Sequence, residues 1–339
     1  MKIYQTAERE TIRSIAEKHA VPERALAALA GLTPRSLVPP GVSLLLPFGA
    51  RGGAPAGCLY PDMSEERAEI LVLGEASGRR CDPRTTMVSG LTLFHSGTLT
   101  RRGIPGLGRA PAGVASVCLP SGVRSECPPP AVLADALAAA GYRGLLLPLP
   151  RLPGHRLVSF LPEYVSVFAE RGLLCAVTLP DRLFLHHLPL FACLDPLPDF
   201  ICLTPSSWET PLEVRAREIS DMTDLTMRRR ILFSLTPGAA FATHEKSAPL
   251  AYGEALRIVS AGDIRLRRED ILMAPVVNGR RSGTLYLEDP VCLLAGLMRL
   301  SASRFGGISL SDASAPFAAE MIRRLFRTAG GTAPAHWQT

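Results

Sequence analysis

The sequence predicts an α/β protein: a (β/α)8 barrel with a small α+β insertion, preceded by a small βααβ unit. Three observations carry that prediction. From about residue 67 onward, short apolar runs bounded by Gly or Pro alternate with amphipathic helices, the pattern of parallel strands buried on both faces. Eight such runs suffice for a (β/α)8 barrel of the TIM type, with an open doubly wound sheet as the weaker alternative. Ahead of them, residues 3–47 give strand, helix, helix, strand.

Ile3-Tyr4-Gln5-Thr6 has the composition of a short strand. Thr11 is placed to cap a helix through Ile12, Ile15 and Ala16 to His19. Val21-Pro22 opens a second helix carrying Leu26, Ala27 and Leu29, and Gly31 stops it. Gly41 precedes a strand over Val42 to Leu46, closed by Pro47. Residues 1–48 are therefore expected to be one domain and residues 49–66, rich in Gly, Pro and Ala, a linker.

The expected strands are Ile70–Leu73, Gly90–Phe94, Val114–Leu119, Gly144–Leu149, Leu173–Leu179, Phe200–Leu203, Ile231–Leu235 and Gly307–Leu310. Helices are expected over Ala131–Ala140, Phe160–Arg171, Val291–Arg304 and Pro316–Phe326. Glu163 falls near the start of its helix, where an acid favours the dipole, and Glu288-Asp289 are placed to cap the helix near Val291. The barrel domain spans 67–330, with the insertion at 248–290 and a tail at 331–339; residues 205–230 give no clear helix boundaries.

Composition narrows the function classes. The 47% hydrophobic content supports a large core. The net charge of +6 suits an anionic polymer, but the basic residues are scattered and no aromatics interleave with them, which argues against nucleic acid. No apolar run reaches membrane-spanning length, and Met1 to Glu10 lack the apolar core of a secretory signal, so synthesis in a cytoplasm is expected. The eight cysteines form no CxxC pair and are expected reduced and buried. The adjacent pairs His186-His187 and His244-Glu245 do not suggest a metal site. No Gly-x-Gly-x-x-Gly turn, Walker-type loop or Gly-x-Ser-x-Gly elbow occurs, and no cofactor is expected.

Tyr4, Arg9-Glu10-Thr11-Ile12 and Ile15-Ala16, with Leu37, Pro40-Gly41, Leu44, Leu46 and Pro47, resemble the LysM domain. That resemblance implies binding of peptidoglycan or another N-acetylglucosamine polymer through two loops. Here they contain Arg9, Glu10 and Thr11, then Gly31, Leu32 and Thr33. Arg9 stands where the family has a turn glycine, and Ala30 where it has asparagine.

Ala139-Ala140-Gly141-Tyr142-Arg143-Gly144, Asp199-Phe200-Ile201-Cys202-Leu203, Gly283-Thr284-Leu285-Tyr286-Leu287-Glu288-Asp289 and Gly306-Gly307-Ile308-Ser309-Leu310 follow one another as in family 18 glycoside hydrolases. The resemblance implies an Asp-x-x-Asp-x-Asp-x-Glu ending on the fourth strand, whose Glu protonates the glycosidic oxygen while the substrate's acetamido group attacks. The matching stretch is Arg143-Gly144-Leu145-Leu146-Leu147-Pro148-Leu149-Pro150, with Pro150 at the acid position. The family's Tyr after strand six falls near Leu203-Thr204-Pro205-Ser206, and its Trp after strand eight near Leu310-Ser311. General acid catalysis contributes about 10²–10⁴-fold, so a barrel without the acid is expected to bind rather than cleave.

Pro148, Pro150, Trp208 and Glu209 are the candidates for the barrel mouth, and no catalytic residue is assigned. The leading expectation is a non-catalytic glycan-binding or structural protein of the bacterial spore envelope, with spore envelope proteins as further partners. One alternative is an active glycosidase with a relocated acid such as Glu209; another is a protein-binding scaffold.

Overall fold

The computed structural model describes residues 2–47, 58–59, 69–75, 86–93, 99–101, 113–118, 129–149, 154–244, 246–262, 264–269, 271–278, 281–310, 314–325 and 327–328. The 331–339 tail, Pro150, Ser311, Glu245 and most of residues 49–66 lie outside them.

In the N-terminal unit, strand Ile3–Gln5 pairs antiparallel with Ser43–Leu45, and helices Ile12–Lys18 and Glu23–Ala30 lie between them in sequence. Thr11 Oγ1 accepts the Ser14 N–H at 3.0 Å while Ser14 Oγ accepts the Thr11 N–H at 3.0 Å, a reciprocal cap that fixes where the first helix starts. Gly31 ends the second helix at φ 64°, a left-handed conformation that glycine takes without a Cβ penalty. Ile3, Ile12, Ile15, Leu26 and Val38 are completely buried. Cys58–Leu59, inside the segment read as a linker, forms a strand against Ile3 and Tyr4, so the chain returns to this sheet after leaving it.

The larger part is a mixed α/β fold around parallel strands. Glu69–Glu75, Thr86–Leu93, Gly113–Cys118, Gly144–Pro148, Leu174–Pro180, Phe200–Thr204, Ile231–Ser234 and Gly307–Leu310 pair side by side in that order, and the last also pairs with the first. Their limits lie within a few residues of the apolar runs because Gly and Pro end them. Strand alternation divides their side chains between two faces. Leu145, Leu147, Cys175, Val177, Ile201, Leu203, Ile231 and Phe233 pack into the main core with the helices. Leu146, Ala176, Phe200, Cys202 and Leu232 form a separate cluster on the opposite, inner face.

Helices Pro130–Ala139, Gly154–Glu170, Leu212–Met222, Leu225–Arg230, Pro290–Ala302 and Ala318–Leu325 cover the outer face. The Gly154–Glu170 helix starts before the predicted Phe160. Glu163 therefore sits in mid-helix, away from the N-terminus where its charge was expected to act. The helix runs through Pro162, which lies in its interior. Asp289 does cap Pro290–Ala302, accepting the Cys292 N–H at 3.1 Å. Glu288 bonds elsewhere, accepting from the Leu212 N–H at 2.8 Å and from Thr236 Oγ1 at 2.5 Å.

Between Gly238 and Leu287, five antiparallel strands form a second sheet with helix Tyr252–Ala261. The basic cluster Arg228–Arg230 is engaged by backbone: Arg228 Nη2 donates to the Ser220 carbonyl at 2.6 Å and Arg230 Nη1 to the Pro198 carbonyl at 2.8 Å. Among the described residues, no helix is long and apolar enough to cross a membrane.

Candidate functional site

In α/β folds built on parallel strands, ligands bind where the strands end at their C-termini. At that rim the inner face carries Pro148, opposite Thr178, which lies opposite Cys202. Ser234 lies opposite Ser309 on the next pair. Pro148, Thr178, Ser234 and Ser309 are half-buried, above the fully packed layer of Leu146, Ala176, Phe200 and Leu232. The floor, which includes the buried Cys202, is thus largely apolar, and the rim above it carries the Thr178, Ser234 and Ser309 hydroxyls. Cys202 Sγ and Ser234 Oγ are 3.4 Å apart. Among these inner-face positions, none is a carboxylate.

Two acids near the strand ends, Asp181 and Glu288, are already paired. Asp181 follows strand Leu174–Pro180, and its Oδ2 accepts from Arg215 Nε at 2.6 Å. Arg215 Nη1 and Nη2 reach the carbonyls of Ser234 and Leu203, each at 3.1 Å. Asp181 Oδ1 accepts the N–H groups of Ser206 at 3.0 Å and Arg182 at 2.8 Å. Arg215 is 2% exposed, so this cluster ties together the ends of three strands inside the protein. Burial alone would raise the Asp181 carboxyl; Arg215 and the Ser206 hydrogen bonds outweigh it and hold the group below the usual carboxylate value. The adjoining cleft, lined by Asp181, Leu185, Ser207, Thr210, Arg215 and Glu218, holds about 40 Å³. A few waters fit that space; a ligand pocket needs about 300 Å³ or more.

Trp208 and Glu209 are both half-buried, in the loop after strand Phe200–Thr204. The Glu209 N–H donates to Ser207 Oγ at 3.2 Å. Neither residue makes a described contact with Pro148. The acid position, Pro150, lies outside the described residues.

In the N-terminal unit the first predicted loop meets the segment just after the second. Glu10–Thr11 pairs with Leu37–Val38, and the Arg13 N–H donates to the Pro34 carbonyl at 3.0 Å. The six residues named for these loops differ in what they can offer. Glu10 accepts from the Tyr4 hydroxyl at 2.6 Å and pairs with Lys18 at 3.3 Å, so it is engaged internally. Burial, then the Glu10 hydrogen bond, push the Tyr4 phenol up. Thr11 is occupied as a cap, Leu32 is half-buried, and Gly31 shapes the turn. Arg9 and Thr33 are exposed, the latter 2.9 Å from Ser36 through its hydroxyl.

Among the described residues no group of His, Cys, Asp and Glu is placed to hold a metal. His186 and His187 make an edge contact with ring centroids 4.8 Å apart. Cys175, Cys202 and Cys292 are buried, and burial pushes the Cys175 thiol up to about 12. Cys193 is exposed. Under native conditions a thiol reagent is therefore expected to label Cys193 quickly. Cys175, Cys202 and Cys292 should label only on unfolding, as peptide mass mapping would read.

No family model matches the chain, and none of the curated proteins matches its sequence. Solved structures do match. The spore cortex-lytic enzyme SleL of Bacillus megaterium superposes with TM-score 0.57 at 12% identity, over 96% of this chain and 86% of that one. SleL of Bacillus cereus gives 0.56 at 10%, over 96% and 86%. A chitinase from Chromobacterium violaceum gives 0.50 at 14%, over 74% and 98%. The shared fold is chitinase-like. At these identities the comparison speaks for the α/β fold alone.

The Asp181–Arg215 pair escaped sequence reasoning. Its signal was present: Leu212, Ala216 and Ile219 mark the buried face of a helix, and Arg215 falls on that face. A cation placed among core residues implies a buried anion to match it.

Proposed function

We propose that the chain is a non-hydrolytic glycan-binding protein of the bacterial spore envelope. On this reading a LysM-like unit is joined to a closed (β/α)8 barrel. Return of the strand pairing from Gly307–Leu310 to Glu69–Glu75 supports closure. The observation that carries the function is the inner-face rim. Leu146 and Pro148 occupy the fourth strand where the glycosidases it resembles place carboxylates, and Thr178, Ser234 and Ser309 complete the rim. Hydroxyls can hydrogen-bond a sugar but cannot deliver a proton at neutral pH.

The polymer in this proposal is peptidoglycan or another N-acetylglucosamine glycan, met by the Arg9–Thr11 and Gly31–Thr33 loops and by the rim with Trp208. The likeness to two spore cortex-lytic enzymes along 96% of the chain supports the spore setting. The expected result is retention of the intact protein on insoluble peptidoglycan, reduced at least about tenfold by Arg9→Glu combined with Thr33→Asp, about 1.4 kcal/mol. Passage of the native protein without retention would refute glycan binding and favour a protein-binding scaffold.

A further inference from the structure

The N-terminal unit is held against the larger fold by a buried polar junction. The Ser43 N–H donates to Asp289 Oδ2 at 3.0 Å. Arg268 Nη2 donates to the same oxygen at 2.5 Å and to the Gly41 carbonyl at 3.3 Å. The Tyr252 hydroxyl donates to the Ser43 carbonyl at 3.4 Å, Ser260 Oγ to the Leu37 carbonyl at 2.9 Å, and Arg324 Nη1 to the Leu46 carbonyl at 3.0 Å. Asp289 is 0% exposed and pairs with Arg268 of its own part, and the Ser43 N–H of the N-terminal unit shares that buried carboxylate. Backbone approach is equally close: a Cβ on Gly253 would collide with the Gly31 carbonyl oxygen. A swinging tether needs none of this, and an undocked Asp289–Arg268 pair would leave carbonyls and an amide of the unit to water.

The contact point also has a direction. Gly31 lies against Gly253 and Pro316. Pro316 belongs to the segment after strand Gly307–Leu310, and the Ala315 N–H donates to the carbonyl of Thr236, just past strand Ile231–Ser234. The Gly31–Thr33 loop therefore abuts the rim where these strands end.

We infer that the N-terminal unit is a fixed wall of that rim, and that loop Gly31–Thr33 and the rim form one continuous face for an extended N-acetylglucosamine chain. The inference rests on the glycan-binding reading above. Two binding segments in fixed register act on one polymer with a high effective concentration, raising affinity about 10²–10⁴-fold once the ligand spans both.

The test is calorimetric titration of the full chain with a short and a long N-acetylglucosamine oligomer, three and eight units. In the native chain the longer oligomer is expected to bind about 100-fold tighter. Gly253→Leu, which separates the two surfaces, should erase that gain and leave the short oligomer's affinity unchanged. Equal affinities in the native chain, or a gain that survives Gly253→Leu, would overturn the continuous face while leaving glycan binding intact. No binding of either length would remove the glycan reading itself, and this inference with it. Docking is read separately by hydrogen exchange. The Ser43 amide, whose partner is Asp289, should be protected in the native chain and exchange freely in Gly253→Leu. If that variant does not fold, Arg268→Ala supplies the same comparison. Fast Ser43 exchange in the native chain would show a tethered unit and end the proposal.

Discussion

Replacing Arg215 with methionine is expected to lower the unfolding free energy by about 3–5 kcal/mol, the usual cost of stranding one member of a buried ion pair. The loss is large because Arg215 does three things at once. It neutralises Asp181 at 2.6 Å and satisfies the carbonyls of Ser234 and Leu203. Its guanidinium also lies 5.5 Å from the Phe233 ring centre. Changing both partners, Arg215→Met with Asp181→Leu, should recover much of the loss, because no charge is then left buried.

The same pair makes a signed pH prediction. Asp181 has a folded-state value below its unfolded value of about 3.9. Its contribution is therefore complete above about pH 4 and is lost as pH falls through the lower folded value. The penalty of Arg215→Met, measured by urea unfolding, should be full at neutral pH and smaller near pH 3. A penalty independent of pH would mean that the charge of Asp181 is not what Arg215 serves.

Asp289→Ala should cost about 3–5 kcal/mol by the same reasoning, and here the damage spreads across two parts of the chain. The carboxylate caps helix Pro290–Ala302, receives Arg268 at 2.5 Å, and accepts the Ser43 N–H from the N-terminal unit. Thermal unfolding of the native chain should be a single transition. In Asp289→Ala it should fall in midpoint and broaden or split, because the two parts lose their shared anion. Asp289→Asn keeps an acceptor for Ser43 and the helix cap but loses the charge facing Arg268, so it should fall between the two. An unchanged midpoint in Asp289→Ala would contradict the described junction.

The parallel strands were legible because their burial on both faces leaves uninterrupted apolar runs, as in Leu145-Leu146-Leu147 and Phe200-Ile201-Cys202-Leu203. The caps were legible where one side chain acts on its own helix, as with Thr11 and Asp289. What sequence could not supply was long-range pairing. Asp289 with Ser43, Asp181 with Arg215 and Gly253 with Gly31 are contacts that only the folded topology creates. Glu163 was misplaced because its helix starts at Gly154, before the expected Phe160. Of the candidate site, the apolar side chains at Leu146 and Pro148 were readable directly from the sequence. The engagement of Glu10 by Tyr4 and Lys18 was not, because it depends on where a strand and a helix meet.

We propose that a chitinase-like fold here holds glycan without cutting it. The direct measurement is release of reducing ends from N-acetylglucosamine oligomers and muropeptides incubated with the full chain at neutral pH. No release above the protein-free control is predicted, alongside retention of the protein on the same glycan in insoluble form. Steady release that Glu209→Gln abolishes would contradict it, and would place a relocated acid in the loop beside Trp208.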